Sequence, residues 1–160
     1  MSDRTDRMAG MGVLYDYFSA PNDEEAAKVL TVEGGPGAPD SGYDAVALKG
    51  IDPVVQLGTL EALLTATPYD DVIDDPRSGN MLAADEDYEQ IVVTVTGSLV
   101  AALAAADDAA LAQVAVPWSQ TDEFGGGVTP DELTPVLKDL AALARRAESS
   151  GALVYCWVCV

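Results

Sequence analysis

Residues 152–160, Ala-Leu-Val-Tyr-Cys-Trp-Val-Cys-Val, constrain the fold more than any other stretch of this chain. A strand at a sheet surface alternates apolar and polar side chains, because successive residues point to opposite faces. These nine residues carry no charge and offer apolar groups to both sides. A strand of that kind must be covered above and below. The pattern predicts a central strand in a sheet with packed layers on each face, preceded by a helix that Gly151 ends.

The other segments supply the layers. Val13, Tyr15 and Tyr17 alternate with Leu14, Asp16 and Phe18 at strand period until Pro21-Asn22. Asn22 and Glu25 have the spacing of a capping box opening a short helix through Leu30. The Gly34-Gly-Pro-Gly-Ala-Pro39 stretch reads as a loop, and Tyr43–Leu48 as a short strand. Asp52-Pro53 opens a helix that places Val54, Leu57, Leu60, Leu63 and Leu64 on one face. The β-branched run Ile91-Val-Val-Thr-Val95 is a strand. Residues 96–115 form two short helices parted at Asp107-Asp108, and Pro117–Val128 is expected as a loop. Thr129-Pro-Asp-Glu132 has capping-box form, but Pro135 lacks the donor an interior helix position needs. The main helix is therefore expected from Thr134-Pro135 to about Ser149. The sum is an α+β fold: a single compact domain over residues 11–160 after a flexible tail at 1–10. Its small mixed sheet has about four strands, flanked by about five helices. Met1 and Met11 both serve as candidate starts.

Charge sets the surface. Twenty-seven acids face eight bases and there is no histidine, a net charge of −19 over 160 residues. Hydrophobic residues make up 49% of the chain, so a full core accompanies the charge, which disordered acidic chains lack. Lys28, Lys49, Lys138, Arg4, Arg7, Arg77, Arg145 and Arg146 form no large cluster. Nucleic acid, which is held through Lys and Arg contacts to phosphate, is not an expected partner. The longest uncharged apolar stretches, 99–106 and 152–160, fall short of the roughly 18–20 residues a membrane span needs. The mixed-sign N-terminus lacks the pattern of a signal peptide, which points to the cytoplasm.

Few constellations carry chemistry. Without histidine, Ser-His-Asp and Cys-His catalysis are excluded. In Cys156-Trp-Val-Cys159 the two thiols lie three apart on a strand, on opposite faces, with Cα atoms roughly 10 Å apart. That exceeds the ~7 Å limit for a disulfide, and zinc would need ligands the chain does not have. Two buried free thiols are expected, with no metal and no cofactor. Gly34-Gly-Pro-Gly37 lacks the Lys-Ser/Thr pair of a phosphate loop. Trp118 either closes the core from a loop or anchors a partner.

The acidic stretch 69–89 is the main candidate site. It contains Asp70, Asp71, Asp74, Asp75, Asp85, Glu86, Asp87 and Glu89 against Arg77. If 70–75 is helical, Asp70/Asp74 and Asp71/Asp75 share a face. Such a surface is a solvated face, a docking face for a basic protein, or a site for Mg²⁺ or Ca²⁺. No EF-hand loop fits, since Pro76 stands where an acid or amide is required.

The order of elements resembles the YfbM-like family of uncharacterised bacterial proteins. The resemblance rests on Met11-Gly12 opening the first strand and on Leu60-Glu-Ala-Leu-Leu-Thr-Ala66, similar to that family's L-x-x-x-L-T-G helix end. Paired helices around Leu103–Leu111, a Pro117-Trp118 pair, a long helix and an apolar final strand complete it. Leu57 and Glu61 occupy positions where the family commonly has aromatic and histidine residues. The resemblance implies an α+β fold and no established activity, so no functional residues carry over.

Two functions follow as expectations. The first is an acidic interaction module, such as an immunity-type inhibitor that masks a basic toxin or nuclease. The second is a histidine-free hydrolase with paired carboxylates, with or without Mg²⁺, a mechanism that needs only two acids at the right separation. The balance of features leans away from an enzyme.

Overall fold

A computed structural model describes residues 13–48 and 50–160. The expected tail at 1–10 and the Met11-Gly12 opening lie outside the described residues. In chain order the elements are strand β1 (Leu14–Ala20), helix α1 (Asp23–Ala27) running into a 3-10 turn (Lys28–Thr31), and β2 (Ala45–Ala47). Helices α2 (Val55–Thr65) and α3 (Tyr69–Ile73) follow, then strands β3 (Met81–Ala84) and β4 (Gln90–Thr94). Helices α4 (Gly97–Ala105), α5 (Asp108–Ser119) and α6 (Pro130–Ser150) lead to β5 (Leu153–Cys159). This is an α+β fold.

The sheet order is β2-β1-β5-β4-β3, so β5 is central as its two apolar faces require. It pairs with β1 from Leu14↔Cys159 to Ala20↔Leu153 and with β4 from Gln90↔Cys159 to Thr94↔Tyr155. Alternate residues then enter different cores. Val154, Cys156 and Val158 face the layer built from α2, α4, α5 and α6, while Tyr155, Trp157 and Cys159 face α1 and the loop after it. Both cysteines are buried and free, one on each side of the sheet. The second layer approaches closely. A Cβ placed on Gly35, whose φ is +78°, would lie 2.8 Å from the Trp157 ring. The glycine-rich segment is thus a lid over β5, and position 35 requires both the left-handed backbone and the missing side chain.

Three expectations are corrected. The sheet has five strands and every pair is antiparallel, where four strands and a mixed sheet were expected. The additional strand, Met-Leu-Ala-Ala at 81–84, has no β-branched or aromatic residue, so its conformation comes from pairing with β4 and not from propensity. Among the described residues there are six α-helices against about five expected, the sixth being the single-turn α3. Finally, both prolines expected to break helices lie inside them: Pro117 in α5 and Pro135 in α6. An α-helical donor bonds four residues back, so Pro135 leaves the carbonyl of Asp131 without its helical donor. Asp131 lies in the exposed first turn, where water can satisfy that carbonyl. Pro117 sits two residues before the end of α5, where few bonds remain to be lost.

The expected caps close their helices. Thr129 Oγ1 accepts from the Glu132 amide at 3.2 Å, and Glu132 Oε1 accepts from the Thr129 amide at 3.3 Å. Asp52 accepts from the amides of Val54 and Val55 at 2.8 and 2.7 Å. Thr96 and Asp107 cap α4 and α5, confirming two short helices. At the other end of α2, Ala66 is left-handed with φ 53°.

Candidate functional site

The acidic stretch is divided by its own secondary structure. Asp70 and Asp71 lie in the first turn of α3, exposed, where the helix dipole favours negative charge. Asp74, also exposed, follows the helix end. Asp75 Oδ1 accepts from the Arg77 amide at 2.8 Å and so closes a turn. Asp85 does the same for the β3–β4 hairpin, accepting from the amides of Glu89 and Gln90 at 2.9 and 3.2 Å. Glu86 and Asp87 are exposed at that hairpin's tip, and Glu89 is exposed beside it.

The two groups do not converge. Asp70, Asp71 and Asp74 precede β3, and Glu86 and Asp87 follow it. The strand between them spans on the order of 10 Å at 3.4 Å per residue. Among the described residues no three His, Cys, Asp or Glu side chains gather as metal ligands would. The Asp71/Asp75 pair is not continued on a helix, because α3 ends at Ile73.

Trp118 is corrected more sharply. It stands in α5 and not in a loop, and it is fully buried. Its indole Nε1 donates to the Gln56 carbonyl at 3.0 Å, and Phe124 packs edge-on against it with ring centroids 5.1 Å apart. It joins α5 to α2 and offers no surface to a partner.

The bases of the fold are largely committed to structure. Lys28 pairs with Glu25 at 2.7 Å and Arg146 with Asp44 at 2.7 Å. Arg145 donates to the carbonyls of Ala104 and Ala106 at the end of α4. Arg77, the one base within 69–89, reaches away from that stretch. Its guanidinium donates twice to Asp23, at 3.2 and 3.0 Å, and lies 5.7 Å from the Tyr155 ring centre. The Arg77 hydrogen bonds, followed by one from the Tyr155 hydroxyl, hold the Asp23 carboxyl below its ordinary range. Burial, reinforced by Asp23, raises the Tyr155 phenol.

Sequence reasoning missed one buried carboxylate. Glu61 is 6% exposed on the inner side of α2 and accepts a short hydrogen bond from Thr96 Oγ1. Burial raises its pKa; the Thr96 bond opposes that shift and the charge of Asp75 adds to it. It lines a cavity of about 10 Å³ with Gly58, Ser78 and Val95. Such a space holds roughly one water and no substrate. The signal was present in the sequence, since Glu61 follows Leu60 and precedes Leu64 on the apolar side of the helix.

No family model, no curated protein and no solved structure matches this chain. The resemblance to the YfbM-like family therefore brings no residues to the site. No helix among the described residues is long and apolar enough to cross a membrane.

Proposed function

We propose that this protein is an interaction module for a basic protein, acting in the cytoplasm as an immunity-type inhibitor that covers a cationic toxin or nuclease. One observation carries the reading. Asp70, Asp71, Asp74, Glu86 and Asp87 enter no ion pair among the described residues, while Lys28, Arg77 and Arg146 are paired with Glu25, Asp23 and Asp44. The surface field of the net −19 is thus left largely uncompensated. Fields of this kind accelerate encounters with oppositely charged partners and discourage like-charged ones, nucleic acid included.

The test is affinity capture from the native cell at low and at physiological salt. The expected result is a basic protein whose recovery falls as salt rises. Capture of neutral or acidic proteins alone, at both salt concentrations, overturns the reading.

A further inference from the structure

Helices α2, α4 and α5 carry just two charged side chains, Glu61 and Asp108. Glu61 is buried, which leaves Asp108 as the one charge these three helices present to solvent. Helix α6 is built differently: Asp131, Glu132, Lys138, Asp139, Arg145, Arg146 and Glu148 are all exposed on it. In a chain that is 22% charged, an almost uncharged outer helical face is a departure that core packing does not require. Val55 and Leu63 on α2 and Val116 on α5 are 37%, 38% and 44% exposed along it.

A groove lies between α2 and α5. Its walls are Leu63, Leu64, Ala110, Gln113, Val114 and Pro117, and it encloses about 320 Å³. Gln113 is its one polar side chain. A small-molecule site sets several polar groups against its ligand and buries most of it; this groove is open along its length and does neither. Its dimensions and chemistry suit the apolar stripe of a helix, which presents anchors at i, i+3, i+4 and i+7.

The ends of the groove are acidic. Asp107 caps α5 by accepting from the amide of Ala110, a groove residue, at 2.8 Å, and Asp108 lies beside it. Near the other end Glu123 Oε1 accepts from Thr59 Oγ1 at 3.3 Å, one helical turn before Leu63. A second copy of this chain would bring the same acids and the same net −19 against them. A cationic helix would complement both the apolar floor and the acidic ends. We infer that the α2–α5 groove receives an amphipathic helix of the partner, with apolar anchors along its centre and Lys or Arg flanking them.

This inference rests on the basic-partner reading above, and the experiment separates the two. Two synthetic helical peptides serve as probes, with leucine at i, i+3, i+4 and i+7 and either lysine or glutamine elsewhere. They are titrated into the isotope-labelled protein, and amide and methyl shifts are followed by NMR. The lysine peptide is expected to shift Leu63, Leu64, Ala110, Gln113 and Val114, and to bind more tightly than the glutamine peptide at low salt. Leu63→Glu is the decisive variant. Its site is half-exposed, so the fold tolerates the change, and it removes an apolar anchor while adding a negative charge. Binding in the groove predicts at least a fivefold loss of affinity. Unchanged or tighter binding, or a footprint confined to 69–89, overturns the groove and leaves the basic-partner reading standing. Equal binding of the two peptides at low salt overturns the cationic partner and with it the basic-partner reading.

Discussion

The Tyr155 hydroxyl donates to Asp23 Oδ1 at 2.6 Å, joining the central strand to a helix 132 residues earlier in the chain. Arg77 completes the group through its two bonds to the same carboxylate. One carboxylate thus holds α1, the turn before β3, and the sheet together on the side away from the long helices.

Asp23→Ala should lower stability by about 1 kcal/mol, a modest figure because the Asp23 and Arg77 side chains are 43% and 33% exposed and solvent screens the pair. The Asp23 pKa is lowered in the fold. Its contribution is therefore present above the unfolded value and is lost as pH falls through the folded one. Urea midpoints across the acidic range, compared between parent and variant, should converge at the low end.

Glu61 carries the opposite sign. Its folded pKa is raised above the ordinary 4.5, so the fold binds this proton more readily than the unfolded chain does. Its contribution is fully present below 4.5 and is lost as pH rises through the raised value. Glu61→Gln removes that dependence. The variant should gain on the parent in melting temperature between acidic and neutral pH, and a constant difference across that range would contradict a raised Glu61.

Val158→Asp should cost more than about 3 kcal/mol, since position 158 is 7% exposed on the helix-facing side of β5 and the new carboxylate would be buried among apolar side chains. Chemical denaturation measures the loss. A variant as stable as the parent would show that β5 is not packed on both faces.

Replacing Asp70, Asp71, Asp74 and Asp75 with Asn tests the acidic surface while sparing the fold. Asn keeps an Oδ1 for the turn that Asp75 closes with the Arg77 amide. Association with the captured basic partner should slow severalfold at low salt and much less at physiological salt, where screening acts within about 8 Å. Equal rates at low salt would remove α3 and its flank from the interface.

Ala66→Gly should stabilise the protein by about 1 kcal/mol. Ala66 ends α2 at φ 53°, a conformation that costs an L-residue roughly 1–2 kcal/mol and glycine far less. Thermal denaturation should show a higher midpoint, and a lower one would mean that the helix end is not left-handed.

The central strand, the caps at Asp52, Asp107 and Thr129, and the paired helices could be read from the sequence because each is written in neighbouring residues. The edge strand at 81–84 could not be read. Met-Leu-Ala-Ala has no strand preference, and β4 and the Asp85 turn supply what it lacks. The prolines misled because their cost depends on which carbonyl is orphaned and whether water reaches it. Trp118 follows Pro117, and a proline so near the end of a helix reads from sequence alone as the helix's end, which puts Trp118 in a loop. In the acidic stretch, composition showed which side chains carry charge, but not that Asp75 and Asp85 close turns or that Arg77 turns to Asp23. The Arg77 role depends on a pairing between segments distant in sequence, and the two turns on local backbone geometry that composition does not specify.

The position of β5 also sets an order of events. Strands β1 and β4 are its two neighbours, and they make no pair with each other. The residues of both are synthesised well before residue 153, and without β5 each strand has an open hydrogen-bonding edge. Without β5 the pairing of the sheet divides into two ribbons, β2-β1 and β3-β4. Open edges of this kind invite pairing with other chains, and closure by a late, distant segment is slow. The net charge of −19 opposes the close approach of two such chains, and so works against edge-to-edge pairing while that gap is open.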